Sequence, residues 1–223
     1  MSKKIDRRQA LGAIGTVSLG GLLAACGGDS GAGSASVATT AGETTTVEPK
    51  TTTSEATGAL FEDSASCALT VEQTEGPYYF DADRVRSDIR EDREGVRLRL
   101  ALRVRDAGTC KPLPDAVIDV WHADAGGEYS GFDAAIKTRY LRGAQVTNNE
   151  GVAEFVTIYP GWYQGRTVHI HVKVHLNNTA VLTSQLYFDE AISNTVYKRA
   201  EYSARGDRDQ LNASDASSTR PLS

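Results

Sequence analysis

The chain has 223 residues and a formal charge of −5, from 24 Lys and Arg against 29 Asp and Glu. That acidic balance argues against a basic footprint for nucleic acid. The longest apolar stretch lies at the N-terminus and is too short and too glycine-rich for a spanning helix.

Residues 1–26 read as an export signal. Lys3, Lys4, Arg7 and Arg8 make a basic start, and an apolar stretch from Ala10 to Ala25 ends in Leu23-Ala24-Ala25-Cys26. The pair Arg7-Arg8 resembles a twin-arginine signal, and LAAC resembles a lipobox whose Cys26 would be lipidated. These features predict an exported protein, lipid-anchored to the cell membrane through Cys26. Residues 27–59 are rich in Gly, Ala, Ser, Thr and Glu and lack aromatic residues. Such a composition predicts a disordered tether, because it buries too little apolar surface to offset ordering entropy.

Residues 60–206 are predicted to form one domain. Its two cysteines, Cys67 and Cys110, are read as a disulfide in an oxidising compartment, with two buried thiols as the alternative. Val96 to Arg105, VRLRLALRVR, alternates apolar and mostly basic residues with period two, which predicts a half-buried strand. Further strands are expected at Ala116–His122, Val152–Ile158, Val168–Val174 and Val181–Phe188, punctuated by Gly126-Gly127, Asn148-Asn149 and Pro160-Gly161. No long amphipathic helix signal occurs. The fold class expected is all-β, an antiparallel sandwich with functional loops at its rim. Residues 207–223 are a polar tail, expected to fray.

The stretch GRTVHIHVKVH, from Gly165 to His175, holds three of the four histidines. On a strand, Val168, Ile170, Val172 and Val174 share one face, and His169, His171, Lys173 and His175 share the other. Side chains two apart on one face lie roughly 6–7 Å apart along the strand, so two imidazoles can converge on one metal ion. The bland alternative is a polar face that happens to carry histidine. Carboxylates near this strand are few, Glu154 and Asp189 among them, while Tyr129 and Tyr163 lie in flanking loops. A phenolate is a hard anionic donor suited to ferric iron, whose charge would hold the phenol deprotonated far below its usual pKa of about 10.

The runs IDVWHADAGGEYSGF, NNEGVAEFVTIYPGWYQGRTVHIHVKV and TSQLYFDE, with the earlier TVEQTEGPYYF, resemble the intradiol ring-cleavage dioxygenases, the family of protocatechuate 3,4- and catechol 1,2-dioxygenases. The resemblance covers about residues 67–205. It implies a non-haem Fe(III) cofactor held by Tyr129, Tyr163, His169 and His171, with catechol-type rings and O2 as substrates and cis,cis-muconate-type diacids as products. It also implies that Tyr163 is released as a base when substrate binds, that Arg166 acts in catalysis over the substrate ring, and that Gln185 lines the pocket. Tyr78 and Tyr79 either line the pocket mouth or pack at an edge. His122 is read as structural or as supporting the ligands from behind, and His175 as a surface residue. Tyr140, Tyr159, Tyr187 and Tyr197 are read as packing residues. Two readings of another class compete: a non-catalytic lipid-anchored sandwich that binds a ligand, and a copper or zinc His-x-His metalloenzyme.

Overall fold

The computed structural model describes residues 35–38, 44–47, 55–61, 69–82, 84–177 and 179–218. Strands β1 (Ala35–Ala38) and β2 (Thr44–Val47) form an antiparallel ladder, followed by helix α1 (Glu55–Ala59). Strands β3 (Arg97–Arg103), β4 (Val117–Trp121), β5 (Arg142–Val146), β6 (Val152–Ile158), β7 (His169–Leu176) and β8 (Thr179–Tyr187) build the domain. Helices α2 (Glu190–Val196) and α3 (Ala200–Ser203) close the chain.

Two sheets pack around the core. One is the antiparallel pair β3-β6, and the other has the order β5-β4-β7-β8, also antiparallel. Leu100 and Phe155 from the first sheet meet Ile118, Val120, Ile170, Val172 and Val174 from the second. The alternation in the sequence produces this directly, since every second residue of β4 and β7 is aliphatic and faces the facing sheet. Burying each such side chain stabilises the fold by about 1.5–3 kcal/mol.

The expectation of an all-β fold is corrected. Three α-helices accompany the sheets, together with a 3-10 turn at Asp133–Ala135, so the architecture is mixed α/β. The helices span four to seven residues, too short to register a helical hydrophobic period. Asp189, a carboxylate near the histidine strand in sequence, is the N-cap of α2 and accepts from the amides of Ala191 and Ile192. The Tyr202 hydroxyl of α3 donates to Tyr159 O and accepts from the Val96 amide, pinning the helix to the sheet edge.

Three further expectations meet the structure here. The segment 27–59, expected as a disordered tether, contains β1, β2 and α1. The buried Thr57 of α1 donates to Glu154 Oε1, and Glu154 in turn pairs with Arg99, which places Glu154 on the outer face of β6. Between residues 207 and 218 the polar tail is bonded to the domain through Asp209, Asn212 and Asp215. Cys110 is disulfide-bonded. Cys26 and Cys67 lie outside the described residues, so the Cys67–Cys110 pairing stays an expectation. Lys3, Lys4, Arg7 and Arg8 lie outside them as well.

Candidate active site

The register of the four-stranded sheet assembles one end of the site. Trp121 of β4 stands opposite Arg142 of β5 on one side and His171 of β7 on the other, and His171 stands opposite Gln185 of β8. That is one cross-strand row: Arg142, Trp121, His171, Gln185. The next row pairs His169 with Tyr187. In this antiparallel sheet the ends of β4 and β8 and the starts of β5 and β7 coincide. The loops following β4 and β6 therefore reach the same rim, and they carry Tyr129 and Tyr163.

Glycines clip these two loops together. A Cβ on Gly161 would lie 2.2 Å from Asp124 O, and one on Gly127, whose φ is +81°, would lie 2.3 Å from Trp162 O. Backbone meets backbone at that spacing, and the Gly161 amide donates to Asp124 O at 3.0 Å. The Gly-Gly-x-Tyr and Pro-Gly-x-Tyr patterns bring the two phenols together for this reason.

His169 Nε2 lies 3.0 Å from His171 Nε2, and the Tyr163 hydroxyl lies 3.2 Å from His169 Nε2. The Tyr129 ring sits 5.6 Å from that of Tyr163 and 6.2 Å from that of His171. Tyr78 stacks on Tyr129 with centroids 4.4 Å apart, and His171 stacks on Trp121 at 4.8 Å. His169 Nδ1 donates to Thr167 O at 2.7 Å. A carbonyl only accepts, so this bond fixes the tautomer and leaves Nε2 bare toward the cluster.

Burial sets the electrostatics. It lowers the pKa of His169 to about 4 and that of His171 well below the usual imidazole range, with the Arg166 charge adding to the first and His169 to the second. Burial raises the Tyr163 phenol and pushes Tyr129 well above its ordinary value. The histidines are thus neutral and ready to donate lone pairs, while the phenols need a strong cation to ionise.

These residues fit a ferric ion. Two donors each about 2.1 Å from a shared ion and at right angles lie about 3.0 Å apart, the separation of the two Nε2 atoms. Tyr129 Oη is buried without a hydrogen-bond partner, and an orphaned buried polar atom calls for an explanation such as an ion. Among the described residues no three His, Cys, Asp or Glu side chains come together as metal ligands. This donor set is two imidazoles and two phenols.

The other side of the site is polar. Arg166 Nε donates to Asp215 Oδ2 at 2.9 Å, and its Nη2 donates to Gln185 Oε1 at 2.5 Å. Gln185 Nε2 donates to Thr74 O, tying the segment that leads into the domain over the histidine face of β7. That face is therefore buried rather than wet.

Comparisons with known proteins give the chain's family. A family model for dioxygenases matches residues 74–214. The chain belongs to the intradiol ring-cleavage dioxygenase family. It is similar to an intradiol ring-cleavage dioxygenase from Tetranychus urticae, with 38% identity over 69% of this chain and 80% of that one, at a TM-score of 0.65. It is also similar to the dioxygenase domain of a dioxygenase–carbohydrate-binding protein fusion from Streptomyces sp. SirexAA-E, with 33% identity over 67% and 82% of the two chains and a TM-score of 0.52. Among curated relatives, the chlorocatechol 1,2-dioxygenase of Rhodococcus opacus is 35% identical over 45% of this chain and 47% of its own length. The chain spans about half the length of the curated relatives it matches.

The relatives also correct the expected localisation. Those matched along the domain are chlorocatechol and catechol 1,2-dioxygenases, and none is named as an exported or lipid-anchored protein. The likeness therefore runs against the exported, membrane-anchored placement expected from residues 1–26. Among the described residues no helix is long and apolar enough to cross a membrane.

The remaining candidates separate cleanly. Tyr78 joins the aromatic cluster and, with Glu128, Tyr129, Phe132 and Asp133, lines a pocket beside it. Tyr79 instead packs on Trp121, and its hydroxyl donates to Asp119 Oδ2. His122 is fully engaged, its Nδ1 donating to Ala123 O and its Nε2 accepting from Thr157 Oγ1. His175 pairs with Asp119 at 3.2 Å, away from the cluster. Three residues were missed. Tyr187 is not mere packing, since its hydroxyl lies 2.6–2.8 Å from oxygens of Gln73, Gln185 and Ser217. Arg142 is a buried cation 5.9 Å from the Tyr129 ring, bonded to Ser130, with burial lowering its pKa to about 10. Asp215 came from a tail whose composition gave no signal.

Proposed function

We propose that the protein is a non-haem Fe(III) intradiol dioxygenase that opens catechol-type rings between the two hydroxylated carbons with O2, giving cis,cis-muconate-type diacids. The convergence of the bare His169 and His171 Nε2 atoms with the Tyr163 and Tyr129 phenols is the observation that supports it most. Tyr129, Tyr163, His169 and His171 hold the iron in this reading. Bound ferric iron supplies Lewis acidity and an electron-accepting centre toward a catecholate.

The chain's own residues supply the rest. Thr167 O holds the His169 ring in the donating tautomer. Tyr163 is the more accessible phenol; held as a phenolate by the bound metal, it would be the base that takes a substrate hydroxyl proton at its Oη. Arg166 presents a fixed guanidinium where negative charge grows on the ring. Gln185, bonded to both Arg166 and Thr74, lines the wall between them. Tyr78 and Phe132 form an apolar wall that excludes water on the tyrosine side.

The visible spectrum of iron-loaded protein tests this. A tyrosinate–iron band is expected at rest, with a shift to longer wavelength on anaerobic addition of catechol and release of a muconate on admitting O2. A colourless iron-loaded protein removes the tyrosine ligands, and a coloured one that responds to no catechol removes the enzyme.

A further inference from the structure

The C-terminal segment is bonded along the turn that carries Tyr163 and Arg166. Asp209 Oδ2 accepts from the Gly165 amide at 2.9 Å, and Asn212 Oδ1 accepts from Thr167 Oγ1 at 2.7 Å. Asp215 Oδ2 accepts from both the Thr167 amide and Arg166 Nε, each at 2.9 Å. Ser217 O lies 2.8 Å from the Tyr187 hydroxyl. These bonds join residues 44 to 49 positions apart in the chain, or 30 for the last, and nothing in the strand pattern requires them.

Asp215 is the centre of this strap. Its side chain is 3% exposed and that of Arg166 is 19% exposed. A buried carboxylate survives only when paired and hydrogen-bonded, and here Arg166, the Thr167 amide and the Ser217 amide all donate to it. In return the guanidinium is fixed from two directions, by Asp215 at Nε and by Gln185 at Nη2. A single rotamer of Arg166 results, and the Arg166–Asp215 pair carries no net charge. A ring that carries its own carboxylate would bring a third charge into a site whose polar wall already sums to zero.

We propose that Asp215 is the positioning residue for Arg166 and, by balancing its charge, makes the site select catechols uncharged on the ring over ring-carboxylated ones. The inference rests on the ring-cleavage reading above. Its test is anaerobic equilibrium binding to the iron-loaded full chain, read from the shift of the visible band, with catechol and 3,4-dihydroxybenzoate as probes. Wild type is expected to favour catechol. Asp215→Asn keeps the shape and removes the charge, so the preference should move toward the carboxylated probe by on the order of tenfold. Asp215→Glu keeps the charge and should return the wild-type ratio. A merely structural residue would weaken both probes equally and leave the ratio alone, which would overturn the proposal. A wild type that favours the carboxylated probe would also overturn it, without need of any variant. A wild type that binds neither probe removes the functional reading and this inference with it, whereas bound catechol with an unmoved ratio removes this inference alone.

Discussion

The two walls of the site are built on opposite principles. On the side of Tyr129, Tyr163, His169 and His171 the polar atoms are short of partners: Tyr129 Oη has none, and two Nε2 atoms face each other at 3.0 Å. On the side of Arg166 the polar atoms are saturated, with Asp215, Gln185 and Tyr187 all within bonding reach of the guanidinium. An unsatisfied buried donor set costs stability unless a ligand completes it. A saturated charged group is already organised and needs no rearrangement when charge develops nearby. The first wall is shaped for something that must arrive, and the second for something that must stay still.

Substitution on the two walls should therefore fail in different ways. His169→Ala is expected to lose iron and colour, with a loss of activity beyond the roughly 10–100-fold that removing an outer partner of a metal ligand costs. Arg166→Ala should keep iron and the resting band while turnover falls by about 10²–10³-fold. Metal analysis beside O2 uptake separates the two, and an Arg166→Ala protein that loses iron would erase the distinction between the walls.

Tyr163 stands between the walls, touching His169 on one side and preceding Arg166 by one turn on the other. Tyr163→Phe removes a donor and a base without removing the ring. Part of the iron should remain, the resting band should weaken, and turnover should fall by about 10²-fold or more. Spectra and single-turnover kinetics on the same preparation give both readings. An unchanged resting band would take Tyr163 out of the donor wall.

The donor wall was legible in the sequence, and so were Arg166 and Gln185 of the other wall, but not the partners that saturate it, Asp215 and Tyr187. Strand periodicity placed His169 and His171 on one face, and the family resemblance of GGEYSGF and PGWY marked both phenols, because a strand and a glycine-pinned loop are short-range structures. Val152–Ile158 was read to the residue for the same reason. Asp215 acts across 49 positions on Arg166, and no local pattern encodes such a pairing. The row Arg142–Trp121–His171–Gln185 is likewise a matter of register between four strands. β5, RGAQV, escaped notice because it is buried on both faces and shows no alternation. The burial of the histidine face of β7 is not visible in the sequence, because its cover, residues 71–79, carries no strand pattern of its own.

The loops that join the walls give a smaller effect, on stability rather than chemistry. Gly161→Ala would drive a methyl toward Asp124 O, a backbone atom that cannot move aside without displacing the Tyr129 loop. The cost expected is about 1–3 kcal/mol. Denaturant unfolding of metal-free protein measures it directly. A neutral substitution would mean that the two tyrosine loops are not clipped together as their glycines imply.

His122 offers the mildest and most discriminating test, because it is a histidine that is satisfied where His171 is not. Both its nitrogens are bonded, and burial lowers its pKa to about 4 against an ordinary 6.5. The folded protein thus resists protonating it while the unfolded chain takes the proton readily. Stability from this residue is fully present above pH 6.5 and is lost as pH falls toward about 4. One pH unit below 6.5 the loss should be about 1 kcal/mol. His169, also lowered to about 4, adds a similar slope in metal-free protein. Replacing His122 with Gln should leave a shallower acid slope by one proton's share while sparing the iron-loaded spectrum. His169→Gln should remove its own share of the slope and the iron together. If His122→Gln disturbed the spectrum as His169→Gln does, His122 would belong to the donor wall, and the line between a satisfied histidine and an unsatisfied one would not be the line between structure and function in this site.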